Sequence, residues 1–271
     1  MKKRIFLVVL LVIAAAVLGV ISRGGSILGR STGEVRREIR QTYQLDPGAR
    51  VEVSGINGTV DIQTADTDTG TAEVYVLSTA GSESDLDSRP VTIDQSSSSL
   101  VVRSEQRHSW AFWRMFHSEV KQQVVLKVPR KIALSVRGVN GRVAAGEVDG
   151  SVEVHGVNGK VDVAQASDYS NISGVNGPVA ISVNQLGQDG MRISGVNGGI
   201  ELRLADTVNA DLTASGINGK LRSDIPNVAV NEESMHSKYS AHIGTGGAPI
   251  KISGINGNIH LTRATTATTT S

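Results

Sequence analysis

Three carboxylates, Asp61, Asp162 and Glu201, stand at the same offset from a repeated turn, which would place them in one outward column of a sheet. A pair of carboxylates at short range is what polysaccharide hydrolysis needs, one to donate a proton and the other to attack or to activate water. Ala144 and Ala180 hold the same offset and break the column. The six histidines, His108, His117, His155, His236, His242 and His260, have no metal-ligand spacing. Cysteine is absent, which excludes disulfides, thiolate metal sites and a cysteine nucleophile. Glycine-rich calcium repeats need an aspartate in the turn, and this turn carries asparagine. No Lys-Ser/Thr follows it, so it is not a phosphate loop. Serine and threonine are too common to single out a nucleophile. These residues predict a protein that is not an enzyme and uses no cofactor and no metal; a carbohydrate-active enzyme built on Asp61, Asp162 and Glu201 is the least favoured alternative.

A second group offers contact rather than catalysis. Residues 108–117 hold both tryptophans and two of the three phenylalanines. Trp110, Phe112, Trp113, Met115 and Phe116 form the candidate contact surface. Either the stretch folds back as a lid on the core, or it is an exposed aromatic patch that touches a membrane interface, a glycan or a protein. Arg107, His108, Arg114 and His117 around it would suit an anionic bilayer.

The elements that position these groups are set by one repeated turn. Gly-(Val/Ile)-Asn-Gly begins at Gly55, Gly138, Gly156, Gly174, Gly195, Gly216 and Gly254. From Gly138 the spacings are 18, 18, 21, 21 and 38. Around each turn apolar and polar residues alternate, as in Val152-Glu-Val154 and Val161-Asp-Val163, the period of a half-buried strand. Aromatics are only 3 % of the chain, and stacked Val, Ile and Leu do not need more. The pattern predicts an all-β chain, a parallel β-solenoid (β-helix-like) of about 18–21-residue rungs, preceded by an N-terminal membrane segment. An antiparallel meander is the rival, because Asn-Gly is also a hairpin signal. In the stacked arrangement Asn57, Asn140, Asn158, Asn176, Asn197, Asn218 and Asn256 would form a structural turn ladder.

Residues 1–22 read as a signal anchor or signal peptide. Lys2, Lys3 and Arg4 precede an apolar run from Ile5 to Ile21, 17 residues, near the ~17–25 that span a bilayer. The charges favour a cytoplasmic N-terminus and an exported remainder. A basic tether follows over 23–41, with a short helix around Glu34–Arg40. Residues 42–130 are an N-terminal β module containing a polar loop over 78–89 and the aromatic stretch. Residues 131–263 are the repeat array, interrupted by a protruding loop over 225–247, and 264–271 are a Thr-rich disordered tail. A net charge of +1 gives no field for nucleic acid.

The ordered set resembles a known family: a signal or anchor, strands around a first Gly-Ile-Asn-Gly, a strand ending in Val128-Pro129, repeated (Val/Ile)-Asn-Gly units, and Gly244-Thr-Gly-Gly247 leading into Ile250-Lys-Ile-Ser-Gly-Ile-Asn-Gly. It is similar to the bacterial "putative adhesin" family of exported β-solenoid proteins, a domain of unknown function, over Tyr43 to Arg263. The resemblance implies a location in the bacterial cell envelope and a binding or structural role, and it supplies no catalytic residues. The expected protein is therefore inner-membrane anchored through residues 5–21, with its β domain extracytoplasmic, or secreted or periplasmic after signal cleavage. It presents a binding surface to envelope glycan, lipid or protein. The alternative is a structural or sensing scaffold that self-associates or docks on other envelope proteins.

Overall fold

The computed structural model describes residues 34–65, 70–105, 119–165, 168–226, 228–233 and 238–264. The N-terminal segment 1–22, the aromatic stretch 108–117, His236 and the tail from 265 lie outside the described residues.

In chain order come β1 (Val35–Gln44), β2 (Ala49–Ser54), β3 (Gly58–Ala65), β4 (Thr71–Ala80), α1 (Glu83–Ser88), β5 (Val91–Ser96), β6 (Ser99–Ser104) and β7 (Lys121–Pro129). The repeat region holds β8 (Ile132–Asn140), β9 (Val143–Val148), β10 (Val152–Asn158), β11 (Val161–Gln165), β12 (Ser170–Asn176), β13 (Val179–Val183), β14 (Met191–Asn197) and β15 (Ile200–Leu204). Last are β16 (Ala210–Asn218), β17 (Leu221–Ser223), β18 (Val230–Glu233), β19 (Lys238–Ile243), β20 (Ala248–Asn256) and β21 (Ile259–Arg263).

These strands make two large sheets. The first runs β1-β4-β7-β3-β9-β11-β13-β15-β21-β17, and the second β18-β19-β16-β20-β14-β12-β10-β8-β2-β6-β5. Alternation sends every second side chain inward, as β-branched residues favour. Val161, Val179, Ile181, Ile200 and Leu202 of the first sheet and Val152, Ile172, Ile193, Ile250 and Ile252 of the second are at most 2 % exposed and share one core. Each Gly-(Val/Ile)-Asn-Gly carries the chain from the second sheet to the first, as between β12 and β13. Gly174, at φ 63, makes that bend in the left-handed region, and Val175 points into the core.

The expected parallel β-solenoid is overturned, while the membrane segment expected over residues 1–22 lies outside the described residues. Both sheets are mixed. β4 runs antiparallel to β1 and β7, β5 to β6, and β19 to β16 and β18. The strand order also departs from the chain: β20 lies between β14 and β16, and β21 between β15 and β17. The physical reason is that identical turns stack on one another in any order, while the segments that lack the turn are free to pair antiparallel. Among the described residues no helix is long and apolar enough to cross a membrane. Nor is the chain a meander, since β8 to β15 pair with parallel neighbours within each sheet.

Local boundaries shift as well. Val35–Gln44, of which 35–41 were expected in the tether with a short helix, is a strand paired with β4 along its whole length. The loop expected over 78–89 contains α1, capped by Ser82, whose Oγ accepts from Asp85 N–H at 3.2 Å. The loop expected over 225–247 contains β18 and β19, which widen the second sheet. The described residues from 34 to 264 form one compact unit with a continuous core across Arg130 and Lys131.

Candidate functional site

The carboxylate column does not assemble an acid–base pair. Asp61 stands beside Ala144, Ala144 beside Asp162, Asp162 beside Ala180, and Ala180 beside Glu201. Asp61 is thus two strands from Asp162, and Asp162 two strands from Glu201, about 10 Å in each case at the usual strand spacing. Arg203 closes the second gap. Its guanidinium donates to Glu201 Oε1 and Oε2 at 3.0 and 2.9 Å and lies 3.7 Å from Asp162 Oδ1. Lys160 adds a second cation 3.4 Å from Asp162. The Arg203 hydrogen bonds hold the Glu201 carboxyl below the usual carboxylate range, with His260 and Lys160 contributing. A hydrolytic acid must be held protonated, and Glu201 is driven the other way.

The described histidines are dispersed. His260 Nε2 lies 2.7 Å from Asp224 Oδ2, His242 Nδ1 lies 2.6 Å from Asp211 Oδ1, and His155 Nδ1 lies 2.9 Å from Ser173 Oγ. Among the described residues no three histidine or carboxylate side chains gather to hold a metal.

The seven turn asparagines stand in one file. Asn140 Nδ2 donates to Asn57 Oδ1 at 2.8 Å, Asn158 to Asn140 at 2.9 Å, Asn176 to Asn158 at 3.1 Å, and Asn197 to Asn176 at 3.0 Å. Asn256 then donates to Asn197, and Asn218 to Asn256, each at 2.9 Å. All the amides point one way. At the first end Asn57 Nδ2 donates to Val120 O at 2.7 Å and to Glu119 Oε1 at 3.2 Å.

That first end is also where the aromatic stretch leaves and rejoins the described fold. Ser104, just before it, bonds through Oγ to Gln122 Nε2 at 2.8 Å. Gln122 in turn accepts from Asn57 N–H. Val120, just after it, is buried with Ala80 and Leu86 in a small apolar cluster. Val35, near the start of the described chain, packs against the same cluster.

The outer face of the second sheet carries a group that sequence reasoning missed. Arg192 of β14 and Lys251 of β20 stand in direct lateral register, both exposed. Asn171 and Thr213 extend their row, and Ser173, Ser194, Ser253 and Ser215 make the next. No sequence signal pairs residues 192 and 251, because the pairing depends on β20 entering out of order.

No protein-family model matches this chain, and no curated protein matches it. Solved structures are similar at the level of fold. One is a "putative cell adhesion protein" from Clostridium sporogenes ATCC 15579, 10% identical, covering 85% of this chain and 100% of that one, TM-score 0.42. Another is a "putative adhesin" from Bacteroides fragilis NCTC 9343, 12% identical, covering 83% of this chain and 97% of that one, TM-score 0.42. A "putative lipid binding protein" from Parabacteroides distasonis ATCC 8503 is 10% identical, covers 84% of this chain and 95% of that one, and has a TM-score of 0.22.

Proposed function

We propose that this chain is an exported, non-catalytic binding protein of the bacterial cell envelope. Residues 5–21 hold it at the inner membrane, and Trp110, Phe112, Trp113, Met115 and Phe116 touch the bilayer surface beside them. The observation that supports this most is the shared cluster at the first end, where Val35 packs against the group containing Val120. The first described strand and the residue that follows the aromatic stretch thus enter the described fold at one cluster, which suits contact with a single surface. Tryptophan and phenylalanine flanked by arginine suit the headgroup layer of an anionic membrane. Arg203 on the carboxylate face also favours contact over turnover, because it keeps Asp162 and Glu201 paired with cations.

The test uses the full chain in anionic vesicles. Trp110 and Trp113 are its only tryptophans, so emission reports on the stretch alone. Blue-shifted emission, quenched by lipids brominated near the headgroup, is the expected result. Emission at the fully hydrated wavelength, unquenched, would overturn the bilayer contact. Fractionation and protease accessibility in cells test the anchor separately. A soluble periplasmic product would show that the N-terminal segment is cleaved.

A further inference from the structure

β20 enters the second sheet between β14 and β16, and this sets Lys251 directly beside Arg192. Like charges in lateral register repel across a sheet, so the pair favours an anion between them. Neither has a carboxylate partner among the described residues. Glu153 of β10 is taken by Arg137 at 3.0 Å, and Asp211 of β16 by His242 and by Gly247 N–H at 3.0 Å. On the first sheet, by contrast, Lys127 faces Glu73, Lys160 faces Asp162, and Arg203 faces Glu201.

The surroundings of the two cations are polar and laid out in rows. Ser173, Ser194, Ser253 and Ser215 occupy four successive strands, a span of about 15 Å at the usual strand spacing. Beyond the glycine bend, Asn176, Asn197, Asn256 and Asn218 repeat the same order. A pleated face with side chains in rows suits an extended ligand. The cations call for an oxyanion on that ligand, and the hydroxyl and amide rows call for many groups that both donate and accept hydrogen bonds.

We propose that this face binds an acidic polysaccharide, with a carboxylate or sulfate between Arg192 and Lys251 and sugar hydroxyls along the serine row. The patch starts on β12, four strands from β6, after which the aromatic stretch departs, so it does not depend on the bilayer contact.

The full chain in detergent micelles would be titrated against polygalacturonate and dextran sulfate, with neutral dextran as control. Binding is expected for the acidic polymers only, weakening as salt rises. Arg192→Gln/Lys251→Gln should weaken it by about tenfold or more, the loss of one or two charge-assisted contacts. Lys127→Gln/Lys160→Gln, which removes equal charge from the first sheet, should leave it within about twofold. Ser194→Ala/Ser253→Ala should weaken it by about threefold. Neutral dextran binding as well as the acidic polymers would overturn the proposal. So would equal losses in the two charge variants, or no loss in Arg192→Gln/Lys251→Gln. All six side chains are solvent-facing, and a thermal melt of each variant confirms the fold before binding is read.

Discussion

Each interior asparagine of the turn file both donates and accepts, so removing one breaks two amide bonds, whereas Asn218 at the end makes one. Asn176→Ala should therefore cost about 1 kcal/mol and Asn218→Ala roughly half of that, read from denaturant midpoints. Glycine is needed at the fourth turn position for a different reason. A Cβ on Gly177 would lie 2.3 Å from Gly159 O, whereas one on Gly174 would meet nothing nearer than 3.5 Å. Both glycines sit at positive φ, 155 at Gly177 and 63 at Gly174, but only Gly177 adds the clash, so Gly177→Ala should lower the melting temperature more than Gly174→Ala. The asparagine and glycine positions were legible from sequence, since a close stack needs an identical small turn at every level. The fates of Asp162 and Glu201 were not, because the controlling Arg203 lies outside their column. Glu201 also sets a pH dependence. Its native carboxyl is held low by Arg203, so its contribution is present above the ordinary glutamate range, about pH 4.3, and is lost as pH falls through the lowered native value. Acid titration of stability should show a shallower low-pH limb in Glu201→Gln than in the parent chain.

Among elements, strands with an apolar residue at every second position were legible, and those with another period were not. In β1, Val35, Ile39 and Tyr43 recur every fourth residue, which reads as one face of a helix. The intervening positions of the same face, Arg37 and Gln41, are long polar side chains at the rim, and Arg37 reaches Asp87 at 2.8 Å. α1 had its signal in Ser82-Glu-Ser-Asp85, a cap with an acidic third residue, hidden in a polar run. The β16–β19 pairing rests on the turn 244–247, where Asn209 Oδ1 accepts from Thr245 N–H at 2.9 Å and Asp211 Oδ2 from Gly247 N–H at 3.0 Å. That backbone bond, with His242, holds the Asp211 carboxyl below its ordinary range. Asp211→Asn should speed amide hydrogen exchange over 244–247 at neutral pH. The parent chain should come to resemble the variant only when pH drops below the ordinary aspartate range, about 3.9.

For the whole molecule, a core continuous across residue 130 means that the two expected modules do not unfold apart. β2 and β3 of one lie directly against β8 and β9 of the other. Calorimetry of the full chain should show a single transition for the described residues, with coincident circular dichroism. Self-association through strand edges has little to work with at the far end, where the terminal strands β17 and β18 have three and four residues. Open-ended association needs both edges of a sheet, so light scattering of the detergent-solubilised chain should show no filaments. A mass that rises with concentration would restore the scaffold reading.

The position of β20 and β21 also decides when the molecule can be completed. They are made after β16 and β17, yet they separate those strands from β14 and β15. Until residues 248–263 are available, β16 has no parallel neighbour of its own, and β19 has nothing fixed to join. The last two strands of the first sheet and the last four of the second must wait for the segment that closes them, while everything up to β15 can already pair. A long stretch of apolar strand thus stays unpartnered until residues 248–263 arrive, and the folding rate should be governed by this late insertion.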